Sequence, residues 1–218
     1  MSKVRAARGN PAAPASPNDS TTSRLNAKTW GYIGALAAVL CWAGAFALLF
    51  LGNLASEASP LAPQRVLFYL LMIGAGLLTF LPLEIRMRLR GITLEGTAGF
   101  FLLLYTLAFV PPPTRWLLHL PDMPVYALFL LAFFWSVSAL LLPFVYALGR
   151  LLFTQRMRQN DVPRARRQAH LLSLLCTSII ILSTLNALSI VSVLVLVFMV
   201  MLAEILFLAR LDLRPTQP

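Results

Sequence analysis

Charge is scarce in this sequence. Only 12% of its 218 residues are Asp, Glu, Lys or Arg, where a soluble domain carries about 25% to cover its surface. There is too little polar material to wet a globule. Acids are scarcest, eight in all, and no apolar run holds a pair of them for acid–base chemistry. The two cysteines, Cys41 and Cys176, lie inside apolar runs with no C-x-x-C spacing and no nearby histidine. That excludes a disulfide framework and a metal site and leaves two small packing residues. A phosphate-cradling glycine loop, G-x-S-x-G and H-E-x-x-H are all absent, so none of these signatures points to an enzyme or a cofactor.

What the chain has is apolar length: 59% hydrophobic residues and a mean hydropathy of +0.78. A membrane-crossing helix needs about 20 mostly apolar residues. That ruler predicts an all-α integral membrane protein, a six-helix transmembrane bundle with spans near 30–51, 66–83, 93–110, 125–148, 170–187 and 190–208. The second span should close at Pro82 and Glu84, and the short third one reaches a usable length only with Glu95 at the headgroups. The run from Leu171 to Ala209 contains one charge, Glu204. As a single helix it would measure nearly twice the hydrocarbon thickness of about 30 Å, so a turn is expected in "LNALS", residues 185–189. Residues 1–29, rich in Pro, Ala, Ser and Asn, read as a disordered tail, and 210–218 as a second, short one.

Charge gives the orientation. With six spans, every one of the 18 basic residues except Arg65 and Arg115 falls on one side. Lys and Arg gather in short cytoplasmic loops, so both termini should be cytoplasmic. The preference for Arg over Lys suggests a prokaryotic cell membrane. The loop after the fourth span, with Arg150, Arg156, Arg158, Arg164, Arg166 and Arg167, then has orientation as its first task. Arg156, Arg158, Arg164 and Arg166 are also placed to touch anionic headgroups, at about 1 kcal/mol per basic residue. Nucleic acid is not the expected partner, because the run lacks interleaved aromatics.

Glu204 is the first candidate site residue. A carboxylate one turn from the end of an apolar helix should be protonated, solvated or paired, and Arg150 or Arg167 is the expected partner. In the fifth span Ser173, Cys176, Thr177, Ser183 and Thr184 form a polar stripe that should turn inward. In the first, Gly31, Gly34, Ala35, Ala38, Cys41 and Ala45 form a smooth strip where a helix should dock. Pro143 should kink the fourth span, and Glu84 and Arg88 should pair across one helical turn. The segment "PPPTRWLLHLPDMP", 111–124, should anchor at the opposite interface through Trp116. His119 and His170 fall on opposite sides and cannot share a ligand.

These features point to a non-enzymatic polytopic membrane protein, a subunit or organiser of a membrane assembly. Its expected partners are membrane lipids and a membrane protein or a second copy. The alternative is a small transporter or substrate-binding module built on Glu204, Pro143 and the polar fifth span. A lipid-modifying enzyme would need Glu204, His170 and the loop arginines to converge on one headgroup.

Overall fold

The computed structural model of the protein describes residues 17–52, 54, 59–111, 122–152 and 162–212. Among the described residues there are six helices and no strand: α1 Pro17–Leu51, α2 Pro63–Met87, α3 Ile92–Phe109, α4 Met123–Leu152, α5 Val162–Thr184 and α6 Ile190–Asp212. All six are long and apolar enough to cross a bilayer, which makes the chain a multi-pass membrane protein. Helices pack in serial order, each chiefly against its neighbours in the chain, and α6 leans only lightly on α5.

Several helices overrun their apolar windows. Residues 17–29, expected to be disordered, continue α1. Proline suits a first helical position, and extending a nucleated helix is far easier than starting one. Pro82 does not close α2, which runs on to Met87. Likewise α4 is continuous through Pro143. The fifth helix begins at Val162 rather than His170, so Arg164, Arg166 and Arg167 are helical and not loop residues. Tertiary packing explains this: Val162, Ala165 and Ala169 share one face, and that face lies in the core. An amphipathic face of this kind carries a helix that local apolarity would not.

Two cores hold the bundle. At the arginine-rich end Phe80, Leu89, Ile92, Ala139, Leu142, Tyr146, Ala165 and Ala169 pack together. Leu89 comes from the turn between α2 and α3, where Arg88 and Gly91 adopt left-handed backbone at φ 55° and 87°, and Ile92 is the first residue of α3. The exposed arginines of that turn thus flank a buried leucine. At the other end Ala45, Leu54, Phe68, Met72 and Leu104 pack among aromatic rings, and Arg65 donates to the Leu54 carbonyl at 3.0 Å. Close approach is centred on α3. A Cβ on Gly99 would sit 2.8 Å from the Ser136 backbone nitrogen, and one on Gly96 would sit 2.6 Å from the Phe80 ring.

The strip on α1 is used only in part. Ala38 and Ala45 are buried and Cys41 half-buried, whereas Gly31 and Gly34 face open space. The polar stripe of α5 also divides. Ser173 and Thr177 are buried and bond to their own helix's carbonyls, while Ser183 and Thr184 are exposed.

The turn between α5 and α6 falls at 185–189. Asn186 takes left-handed backbone (φ 53°), its N–H donates to the Ser183 carbonyl, and the Ala187 N–H reaches Leu182. This is the Schellman closure, with asparagine in the place glycine usually takes.

Candidate functional site

Ionisable side chains converge at the arginine-rich end from four helices. Glu84, on the last turn of α2, does not pair with Arg88, which has left the helix. Its carboxylate instead accepts hydrogen bonds from the backbone N–H groups of Gly91 and Thr93, both at 3.0 Å. The first N–H groups of a helix lack internal partners, and Gly91 has no side chain to supply one. Glu84 is therefore a cap borrowed from the preceding helix.

One turn further on, Glu95 leaves α3 with its side chain only 17% exposed. The Ser138 hydroxyl of α4 lies 3.0 Å from its Oε1 and 2.6 Å from His170 Nδ1 of α5. Arg166 Nη2 lies 3.5 Å from Glu95 Oε2 and also donates to the Arg90 carbonyl at 2.9 Å. Phe134 stacks on the His170 ring at 5.9 Å. Among the described residues the buried Nε–H of Arg166 has no hydrogen-bond partner.

Alongside, Arg167 grips Glu204 of α6 with two bonds, Nε to Oε2 at 3.3 Å and Nη2 to Oε1 at 3.2 Å. Gln168 adds a third at 3.1 Å, and the guanidinium lies 5.2 Å over the Phe207 ring. Two consecutive arginines of one helix turn thus reach opposite ways, Arg166 toward α3 and Arg167 toward α6.

Between α4, α5 and α6 these groups border a cavity of about 600 Å³. Arg166, Arg167 and His170 supply its polar wall, and Phe134, Leu171, Leu174 and Phe207 its apolar one. Its depth follows from helix lengths. With 18 residues, α3 measures about 27 Å and must use nearly all of its length to cross. Glu95, in its first turn, therefore lies near one end of that span, while its partner Ser138 lies midway along the apolar stretch Met123–Leu151 of α4. Beyond that level α4 continues from Ser138 to Leu152, about 20 Å further along its axis.

Of the residues singled out from sequence, Glu204 and Arg167 meet, and Arg166 lies beside them. Arg166, its side chain 39% exposed, bonds to Glu95 and to the Arg90 carbonyl. Arg150 is exposed in the last turn of α4 and makes no ion pair with Glu204. Arg164 is half-buried within α5. Arg156, Arg158, Trp116 and His119 lie outside the described residues. Sequence reasoning missed Glu95, Ser138 and His170 as a group. The signal was available, since the rule that an acid in an apolar helix needs a partner applies to Glu95 as well as to Glu204.

Serine, histidine and glutamate side chains meet here, but not in the order that activates a nucleophile. A hydrolytic triad has the acid on one ring nitrogen and the serine on the other, whereas both Ser138 and Glu95 approach Nδ1. Ser138 is also 1% exposed. Among the described residues no three His, Cys, Asp or Glu side chains cluster as a metal site would require.

Comparison with known proteins supplies no relative: no family model, curated protein or solved structure matches the chain.

Proposed function

We propose that this chain is a non-enzymatic protein of the cell membrane that holds an anionic amphiphile at its cytoplasmic end, as a ligand-binding subunit of a larger membrane assembly. The cavity between α4, α5 and α6 carries the reading. Guanidinium groups match phosphate oxygens in charge and geometry, and both Arg166 and Arg167 line the cavity. Phe134 and Phe207 line the cavity from α4 and α6, and Leu171 and Leu174 continue the lining along α5 beyond the arginines, so a ligand with one anionic end and one hydrocarbon end matches it. The volume suits a headgroup and the start of its chains. The place of Glu95 near one end of the α3 span supports headgroup depth for the arginines, and the asymmetry of basic residues favours a cytoplasmic reading of that side.

The test is native mass spectrometry of the protein released from nanodiscs of phosphatidylcholine mixed with phosphatidylglycerol. Wild type should retain phosphatidylglycerol selectively, and an Arg166→Gln, Arg167→Gln variant should lose the preference. Equal retention of both lipids by wild type would refute the reading. Competition by inorganic phosphate without displacement by neutral lipid would make the ligand a free anion rather than a lipid.

A membrane-protein partner is favoured by a separate observation. The apolar span of α6 contains no buried residue and only light packing joins it to α5, so most of its surface is free for a helix of another subunit. A monomeric mass in mild detergent, with nothing co-purified, would count against this. A transport role draws less support, because the ionisable cluster is confined to one end and the other end is packed with aromatic rings.

A further inference from the structure

The Ser138 hydroxyl carries one hydrogen, yet two polar atoms lie within hydrogen-bond distance, Glu95 Oε1 at 3.0 Å and His170 Nδ1 at 2.6 Å. Hydrogen placement must satisfy both. In one arrangement Nδ1–H donates to Oγ, and Oγ–H donates to ionised Glu95. In the other, a protonated Glu95 donates to Oγ, and Oγ–H donates to Nδ1. A third, with serine donating to Nδ1 beside an ionised Glu95, would set two oxygen lone pairs against each other at 3.0 Å with no hydrogen between them. It is excluded by the cost of an unsatisfied buried contact.

We propose that Glu95, Ser138 and His170 form a proton-exchange site, in which the Ser138 hydroxyl relays a proton between imidazole and carboxylate at the edge of the α4–α5–α6 cavity. The step balances without a co-reactant. Nδ1 gives its proton to Oγ while Oγ gives its own to Oε1, so one N–H and one O–H bond break and two O–H bonds form. An imidazolium paired with a carboxylate becomes a neutral imidazole, protonated on Nε2, paired with a carboxylic acid.

The surroundings give the exchange a consequence. Facing the site are Glu95 from α3, Arg166 and Arg167 from α5, and Glu204 from α6 beside Arg167. From α4 come only the neutral Ser138 and Phe134. The carboxylate of Glu84, from α2, accepts from Gly91 and Thr93 and is also attracted by Arg166. Uptake of one proton makes the site one unit more positive, whichever residue holds it. When Glu95 holds it, Arg166 loses its ion-pair partner and its guanidinium turns to whatever anion occupies the cavity. This coupling rests on the anionic-ligand reading; the relay itself does not. Anion affinity should then rise as pH falls, by at most about tenfold per pH unit for a single linked proton.

The chain has two histidines, so His119→Gln leaves one reporter. Nitrogen-15 NMR of labelled histidine in phosphatidylglycerol nanodiscs reads the tautomer of His170 directly. At high pH the neutral ring should carry its hydrogen on Nδ1. Ser138→Ala should move it to Nε2, and Ser138→Thr should restore Nδ1. On acidification an infrared band of a protonated carboxyl should appear and be absent in Glu95→Gln. A wild-type ring in the Nε2–H form at high pH overturns the relay whatever lipid binds, and it decides the matter even if Ser138→Ala does not fold. An Nδ1–H ring in a protein with no preference for phosphatidylglycerol upholds the relay and overturns only the ligand.

Discussion

Breaking the grip of Arg167 on Glu204 should release the arginine-rich end of α6. The pair is bidentate, at 3.2 and 3.3 Å, with side chains 24% and 20% exposed. Buried hydrogen bonds to charged groups contribute about 1.5–3 kcal/mol, while exposed ion pairs contribute about 0–1 kcal/mol. The distances here exceed the 2.7–2.9 Å or so of strong charge-assisted bonds, and the burial is partial. A coupling of about 1–2 kcal/mol follows, roughly a 5- to 30-fold change in an opening equilibrium. Because α6 has little other packing, the change should appear locally.

Backbone hydrogen exchange of 199–207 in nanodiscs reads it, for wild type, Arg167→Gln, Glu204→Gln and the double variant. Each single variant should speed exchange in that segment and leave α3 unaffected. The double variant should be no worse than the poorer single one. Additive effects, with coupling below about 0.3 kcal/mol, would show that the pair does not hold α6.

Three further outcomes are expected. Gly99→Ala should destabilise the bundle by about 1–3 kcal/mol, since the new Cβ meets the α4 backbone rather than a movable side chain; an unchanged Tm in detergent would refute the close α3–α4 crossing. Asn186→Ala should lower the melting temperature and Asn186→Gly preserve or raise it, because left-handed backbone costs an ordinary residue about 1–2 kcal/mol; the reverse order would refute the Schellman turn. Glu84→Ala should cost about 0.5–2 kcal/mol, as loss of a helix cap does, and speed exchange at Gly91 and Thr93; protected amides there would show that Glu84 caps nothing.

The spans were legible because lipid imposes a simple requirement, a run of apolar residues long enough to cross it, and "LNALS" stood out by the same measure. Helix ends were not legible from that measure. Residues 162–169 are polar and basic, and only the packing of Val162, Ala165 and Ala169 on the core makes them helical. Pro82 looked like a terminator because local sequence does not reveal what a neighbouring helix will tolerate. Glu204 drew notice as the lone charge of a long apolar run. Ser138, one of four hydroxyl side chains in α4 and uncharged like the rest, gave no such signal. Its role depends on Glu95 and His170, 43 and 32 residues away in the chain, and that proximity is a property of the fold.

The central claim, that the arginine-rich cavity seats the anionic end of an amphiphile, is tested most directly by an experimental structure in phosphatidylglycerol nanodiscs. The expected result is a phosphate within hydrogen-bond distance of the Arg166 or Arg167 guanidinium, its chains lying along Phe134 and Leu174. Hydrocarbon alone between α4 and α6, with Arg166 turned out to solvent and Glu95 left without it, would contradict the account.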